Sequence, residues 1–146
     1  MKIRSKSTWV ALVTALGIAA PAAYAEDTQL ADALRKLMEE NTAAYDREDV
    51  DAVLSSVATK SPEYDTTKAE LAAQFGELEV KPELVRFDYI GHDDEFALAR
   101  VRIRTVGTPK SEDFADNTMD AIAIFHQEDG VWKLWSQYVL GVEFAP

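Results

Sequence analysis

Apolar residues in the first half of the chain recur at three- and four-residue steps, the spacing that places them on one face of an α-helix. Residues 30–45 show this most clearly, with a stripe made of Leu30, Leu34, Leu37, Met38, Asn41 and Tyr45. The charged stretch 46–49 interrupts the stripe. Its last residue, Asp49, is suited to cap a second helix that ends at Ser61-Pro62. The apolar face of this second helix would be Val50, Val53, Leu54 and Val57.

A third helix is predicted to begin at Thr67-Lys68-Ala69-Glu70. This stretch has the composition of a capping box, in which the first and fourth residues satisfy each other's backbone N–H groups. Lys81-Pro82 would mark the exit from this helix. Its apolar stripe would be Leu71, Ala72, Phe75 and Leu78.

Beyond the third helix the apolar period changes from 3.6 to 2, which is typical of β-strands. Four strands are predicted, over residues 84–90, 96–106, 118–126 and 131–142. Helices that precede an antiparallel sheet are typical of an α+β fold. We therefore predict one α+β domain with three N-terminal helices and an antiparallel sheet of about four or more strands.

The predicted strands are apolar on both faces. In the third strand Ala121, Ala123 and Phe125 share one face, whereas Ile122 and Ile124 share the other. An apolar sheet face must be covered. The helices would cover one face, and a second copy of the chain is the simplest cover for the other, so we expect a homodimer.

The first 25 residues have the three parts of a cleavable export signal. An apolar run over residues 9–20 is followed by Ala23-Tyr24-Ala25, a small-x-small cleavage pattern. The run is shorter than the roughly 20 apolar residues that a spanning helix needs, so we expect no stable membrane anchor. We predict a cleavable signal over 1–25, a single mature domain over 26–146 and a periplasmic location, with secretion as the alternative. The positive start of the signal is formed by Lys2, Arg4 and Lys6.

Cleavage would leave a strongly acidic domain. The chain has 15 basic and 26 acidic residues, and the signal contains three of the basic and none of the acidic ones, so the mature formal charge would be −14. Such a charge repels phosphate backbones and anionic lipids, and we expect no nucleic-acid partner and no membrane-surface partner. The chain has no cysteine, which excludes disulfides, thiolate metal sites and a cysteine nucleophile.

Two short motifs accompany this order of helices and strands. Asp49-Val50-Asp51-Ala52-Val53-Leu54 follows the first helix, and Glu128-Asp129-Gly130-Val131-Trp132-Lys133-Leu134 forms the last hairpin. Their order and spacing resemble the nuclear transport factor 2-like superfamily, in particular its SnoaL-like and ketosteroid-isomerase-like groups of small bacterial proteins. The resemblance covers essentially the whole mature chain. It implies a cone, in which a curved, cystatin-like sheet wraps around the helices and encloses a pocket, often with a homodimer across the outer sheet face.

The resemblance also implies where a pocket would lie, namely between the inner sheet face and the first helix. Many relatives carry histidines two and four residues after the position of Leu134, where this chain has Ser136 and Tyr138. If Trp132 points inward, as the resemblance implies, Ser136 and Tyr138 point inward as well. The predicted pocket residues are Tyr45, Tyr89, Ala121, Ala123, Phe125, Trp132, Ser136 and Tyr138.

The predicted pocket offers hydroxyl groups but no assignable acid–base pair. Tyr45 and Tyr138 could hydrogen-bond a carbonyl or an enolate-like oxygen, although tyrosines of an ordinary core do the same for buried carbonyl groups or water. Abstraction of a proton beside a carbonyl requires a buried carboxylate with a raised pKa. We expect Asp88 and Asp120 on the outer face, so the catalytic residues stay unknown.

The two histidines and the acidic stretches do not predict a metal site. His92 lies in an acidic turn and His126 ends a strand, and no carboxylate stands at metal-binding spacing from either. The acidic stretches 92–95 and 112–116 lack the alternating oxygen ligands and central glycine of a calcium loop. We interpret them as solvated loops and expect neither a metal nor a cofactor.

Three arginines alternate along the second strand, and Arg86 is expected on the same face. The face could bind an anionic ligand or partner, or it could form cross-strand and intersubunit ion pairs. We favour ion pairs, because the resemblance places this face toward the dimer. Their acidic partners would be Asp88, Asp120 or Glu143. The predicted dimer or partner face consists of Arg100, Arg102, Arg104, Ile122, Ile124 and Trp135.

The sequence leaves three functions open. The favoured one is an exported homodimeric domain that binds a small, partly apolar ligand without catalysis, because an acid–base set is missing and aromatic residues are many. An enzyme of the isomerase, cyclase or dehydratase kind would use Tyr45, Tyr138 and an unidentified carboxylate. A protein-interaction module would use the arginine face.

Overall fold

The computed structural model describes residues 22–108 and 114–146, and it contains three helices followed by four strands. The helices are α1 (Ala22–Asp46), α2 (Val50–Ser55) and α3 (Tyr64–Gln74). The strands are β1 (Val80–His92), β2 (Phe96–Gly107), β3 (Asn117–Glu128) and β4 (Val131–Phe144). The predicted α+β fold, with three N-terminal helices and a curved antiparallel sheet, is confirmed.

The first helix is longer than its apolar stripe. It begins at Ala22, so the last four residues of the predicted export signal belong to its first turn. The remainder of that signal, residues 1–21, lies outside the described residues. Within the stripe, Leu34 and Met38 are fully buried, as their spacing predicts. No helix in the described part of the chain combines the length and the apolar content that crossing a membrane requires.

The second helix has the predicted cap but is short. The Asp49 side chain accepts a hydrogen bond from Ala52 N at 3.0 Å. The helix ends after six residues because the next segment pairs with β4. Leu134 N donates to Ser56 O, and Ala58 N donates to Leu134 O, both at 2.8 Å. Val57, predicted to be helical, lies in this short parallel bridge instead, where the segment covers part of the edge of β4.

The third helix begins at Tyr64, so the predicted capping box at Thr67-Lys68-Ala69-Glu70 is wrong. Ser61 forms the turn that starts the helix: its Oγ accepts from Glu63 N at 3.1 Å, and its carbonyl oxygen accepts from Tyr64 N at 3.2 Å. The N–H of Thr67 already donates to Glu63 O, at 2.8 Å. Thr67 is therefore inside the first turn and has no helix end to cap.

The four strands form one antiparallel sheet in the order β1-β2-β3-β4. β1 starts before the predicted strand and includes Lys81 and Pro82, which the sequence had placed at the helix exit. A proline is tolerated there because β1 is an edge strand. The inner sheet face packs against α1. The fully buried residues of this core are Leu34, Met38, Ala97, Ala99, Val101, Ala121, Ala123 and Phe125.

Strand β4 contains two bulges, and the first changes which side chains face inward. Phe125 pairs with Leu134, but the neighbouring residue of β3, Ile124, pairs with Ser136, so Trp135 is the extra residue. Residues paired across antiparallel strands share a face. Ser136 therefore lies on the outer face with Ile124. Tyr138 pairs with Ile122 on that same face and is 68% exposed.

The prediction that Ser136 and Tyr138 point inward with Trp132 is therefore wrong, because strict alternation holds only in a strand without bulges. The bulge is explained by the contacts of Trp135. Its carbonyl oxygen accepts a hydrogen bond from Ser61 Oγ at 2.6 Å. Its ring packs on the outer face, against two other aromatic rings. These belong to Phe96 and His126, with centroids 5.8 and 4.8 Å away.

On the outer sheet face, two of the three alternating arginines, Arg100 and Arg102, form cross-strand ion pairs. Guanidinium nitrogens of Arg102 lie 3.3 Å from a carboxylate oxygen of Asp120 and 2.5 Å from one of Glu143. Arg100 also approaches Asp120, at 3.7 Å. Pairs with this much solvent exposure each contribute about 0–1 kcal/mol to stability. Their contribution to the stability of the fold is therefore small, and the homodimer stays a prediction.

Glu128 ties the segment between α2 and α3 to the β3–β4 hairpin. Its side chain is buried and accepts hydrogen bonds from Thr59 Oγ1 at 2.8 Å, Lys60 N at 3.1 Å and Lys133 Nζ at 3.2 Å. The hydrogen bond from the Thr59 hydroxyl has the largest effect on the pKa of Glu128. Together with the other donors it lowers this pKa to about 2, although burial acts in the opposite direction. The carboxylate therefore stays ionised at any ordinary pH.

Candidate functional site

A cavity of about 280 Å³ lies where the end of α1, the end of α3 and the sheet meet. Three polar residues of the α1 C-terminal half line it together with Gln74 of α3. The sheet contributes the start of β1, the end of β2 and the start of β3, and Phe114 precedes β3. The lining residues are Asn41, Thr42, Tyr45, Gln74, Val80, Pro82, Ile103, Thr105, Phe114 and Asn117.

Tyr45 occupies the side of the cavity between α1 and α3. Its hydroxyl donates a hydrogen bond to Gln74 Oε1, and its ring meets the ring of Phe75 edge-on, with centroids 4.9 Å apart. Burial, and then the negative charge of Glu70, raise the pKa of Tyr45 above its usual value. Its hydroxyl therefore stays protonated near neutral pH and acts as a hydrogen-bonding group.

Three other polar side chains of the lining each have a donor bonded to the protein. Asn41 Nδ2 donates to Ser56 Oγ at 2.7 Å, and Asn117 Nδ2 donates to Ala115 O at 3.1 Å. The Thr42 hydroxyl lies 3.1 and 3.0 Å from two carbonyl oxygens of the preceding helical turn. These bonds hold the side chains in place and leave the carbonyl oxygens of both amides as acceptors.

The described lining consists of neutral side chains. None of its ten residues among those described is an aspartate, glutamate, histidine, lysine or arginine. Tyr45 is its one titratable group, and the pKa of that hydroxyl is raised rather than lowered toward neutrality. A general base needs a pKa near the working pH. What these residues offer is a set of neutral hydrogen-bonding groups on apolar walls.

Only Tyr45 of the predicted pocket residues lies at this cavity. Ala121, Ala123 and Phe125 are fully buried in the core against α1, so no pocket opens beside them. Ser136 belongs to the outer face, and so does Tyr138. The three core residues lie on the inner sheet face, which is closed where they lie.

Trp132 and Tyr89 lie at a different place, against the first turns of α1. Trp132 lines a second cavity of about 300 Å³, together with Leu30 and several polar residues. Tyr89 Oη lies 2.5 Å from His92 Nδ1, and that nitrogen lies 3.5 Å from Asp27 Oδ1. Burial and then the Asp27 charge raise the pKa of Tyr89. Among residues 22–108 and 114–146, no group of three or more acidic or histidine side chains is placed to hold a metal ion.

Sequence reasoning missed most of the cavity residues, although one signal was present. Asn41 stands in the apolar stripe of α1 between Met38 and Tyr45. A polar amide on a buried helix face needs a partner, and Asn41 finds one in Ser56. Gln74, Thr105 and Asn117 gave no such signal, since each lies at the end of an element, where polar residues are common.

Comparison with known proteins places the chain in a family and a fold. The sequence model of the family "Anti-sigma-I factor RsgI9, C-terminal domain" matches residues 36–145, a range that contains every lining residue of the cavity. No curated protein matches the sequence.

Three solved structures of bacterial proteins are similar in shape to this chain. A nuclear transport factor 2-like protein of unknown function from Pseudomonas putida has a TM-score of 0.62 at 16% identity, covering 77% of this chain and 86% of its own. A protein of unknown function with a cystatin-like fold from Nostoc punctiforme has a TM-score of 0.60 at 14% identity, covering 78% and 90%. A protein of Novosphingobium aromaticivorans, provisionally assigned as a scytalone dehydratase, has a TM-score of 0.65 at 13% identity, covering 83% and 92%. At these identities the likeness shows the fold alone, and it confirms the nuclear transport factor 2-like fold.

Proposed function

The chain belongs to the family of the C-terminal domain of anti-sigma-I factor RsgI9, and on this premise we propose that it is an exported, homodimeric domain that binds a small, partly apolar ligand in its cone-shaped pocket. The cavity beside Tyr45 carries the proposal. Its volume of about 280 Å³ is near the lower end of the roughly 300–1,000 Å³ of small-molecule sites. Like such sites, it combines apolar walls with a few polar groups.

Binding rather than catalysis is supported by the chemistry of the described lining. Amides and hydroxyls orient a ligand by hydrogen bonds, whereas proton transfer near neutral pH needs a group that titrates there. The family is named after an anti-sigma factor, and this name supports a regulatory role. A domain that reports the presence of a small molecule would suit such a protein.

Export and dimerisation are supported by two other features. The pattern of residues 1–25 is that of a cleavable signal, and the outer sheet face presents Ile122, Ile124 and Tyr138 beside its ion pairs. Sequencing of the protein recovered from a bacterial periplasm should find Glu26 at the N-terminus. Recovery of the chain with an intact Met1 start, and from the cytoplasm alone, would contradict export.

Filling the cavity tests the ligand-binding proposal. Thr105→Trp places an indole among the lining residues of the cavity. We expect the wild-type protein to melt at a higher temperature in the small-molecule fraction of a bacterial extract, and Thr105→Trp to lose that shift because the ligand no longer fits. Thermal denaturation followed by circular dichroism measures both. The matched control is Val131→Trp, an indole at an exposed hairpin position outside the lining.

The outcomes distinguish binding in the cavity, binding elsewhere on the protein and no binding. A shift that Val131→Trp keeps and Thr105→Trp loses supports the cavity as the binding site. A shift that both variants keep would place the ligand elsewhere. No shift of the wild-type protein in any extract fraction would count against ligand binding altogether.

A further inference from the structure

The lining of the cavity is uncharged in a chain that is rich in charge. Charged residues make up 28% of the sequence, so about three would be expected among ten lining residues, yet the ten described ones include none. A charged group that enters such a site loses its hydration and finds no opposite charge, which is costly. The described lining residues therefore offer no charged partner to an ion of either sign.

The bonds within the lining set the direction of the amide groups. Because the Tyr45 hydroxyl donates to Gln74 Oε1, the amide nitrogen of Gln74 has its hydrogens to offer. The reverse holds for Asn41, whose nitrogen donates to Ser56 Oγ and whose oxygen is an acceptor. Asn117 is turned in the same sense as Asn41, since its nitrogen bonds to Ala115 O. The cavity thus offers both a donor and acceptors.

We infer that the ligand of this cavity is an uncharged molecule with a small apolar body that carries both a hydrogen-bond acceptor and a hydrogen-bond donor, as a primary amide or an alcohol does. The inference rests on the proposed function and specifies its ligand. The acceptor of the ligand would face Gln74, and its donor would face Asn41 or Asn117. The cavity volume of about 280 Å³ equals that of about nine water molecules at roughly 30 Å³ each, which fits a single ring with one substituent.

Three probes that share a ring and differ in charge test the inference. Benzamide is neutral and carries both kinds of group, benzoate is an anion, and benzylammonium is a cation. Each is titrated into the full chain while the backbone amide resonances of Asn41 and Thr105 are followed by NMR. We expect benzamide to shift these resonances and to bind at least tenfold more tightly than either ion.

A substitution that adds a charge to the lining should reverse this preference. Gln74→Glu keeps the size of the side chain and puts a carboxylate where the amide is. We expect it to weaken benzamide binding about tenfold and to strengthen benzylammonium binding by a similar factor. Gln29→Glu, at an exposed position of α1 outside the lining, is the matched control and should change neither. Asn117→Asp provides the same test if Gln74→Glu does not fold.

Each outcome has one meaning. Binding of benzoate or benzylammonium to the wild-type cavity as tightly as benzamide overturns the inference and leaves the proposed function standing. If no probe moves the two resonances while the bacterial extract still raises the melting temperature, the inferred size and class are wrong. If neither the probes nor the extract has any effect, the proposed function falls together with the inference.

Discussion

The closed core around Ala123 makes a sharp prediction about a single substitution. Ala123 is 0% exposed, lies on β3 opposite α1, and has Ala99 as its partner on β2. Ala123→Leu adds three carbon atoms there. Overpacking of a filled core costs typically about 1–3 kcal/mol. In a domain of this size that corresponds to a melting temperature lowered by roughly 4–12 °C, at about 4 °C per kcal/mol.

If a pocket lay beside Ala121 and Ala123, the substitution Ala123→Leu would raise the stability instead of lowering it. If space were open there, the three carbons would gain about 0.8 kcal/mol each on burial, or about 2 kcal/mol in total, and the protein would melt at a higher temperature. Thermal unfolding followed by circular dichroism measures the difference. Ala43→Leu, at an exposed position of α1, controls for the substitution itself and should stay within about 0.5 kcal/mol of the wild type. An Ala123→Leu protein as stable as the wild type would refute the closed core.

Two further predictions concern charge and assembly. Glu128 has a pKa of about 2 in the folded protein, below its usual value of 4.5, so its stabilisation of the fold is complete above about pH 4.5 and is lost as the pH falls toward 2. Glu128→Gln should therefore lower the midpoint of urea unfolding at pH 7, and the difference from the wild type should shrink on acidification. A difference that stays constant with pH would argue against this linkage. Tyr138→Glu places a charge on the exposed outer face, and light scattering should show the wild-type dimer mass reduced to that of a monomer; an unchanged mass would remove this face as the interface.

The sequence was informative where burial follows a local period. The helix stripe predicts that Leu34 and Met38 are buried, because neighbouring turns of one helix determine their direction. The cap at Asp49 is equally local, since its partner Ala52 is three residues away. The four strands were found for the same reason, although β1 begins earlier, with Pro82 tolerated at the sheet edge.

The sequence was uninformative where a distant contact decides the local geometry. The bulge at Trp135 depends on a hydrogen bond from Ser61, 74 residues away in the chain. The cavity depends on the meeting of five element ends, and the residues Gln74 and Asn117 at two of these ends belong to no periodic pattern that could reveal them. Asn41 was visible as a polar residue in an apolar stripe, but its meaning depends on Ser56, which only the fold brings close.

The bulge at Trp135 also limits how function can be transferred between relatives. Beyond this extra residue, β4 has the opposite alternation to the one that counting from Leu134 would give. An ungapped alignment with a relative that lacks the bulge would equate Ser136 and Tyr138, on the outside of this cone, with residues that line the interior of the other. From Ser136 to the second bulge, residues of the two proteins correspond in space only after a one-residue gap is opened, and a catalytic residue assigned without that gap would be assigned to the wrong side of the sheet.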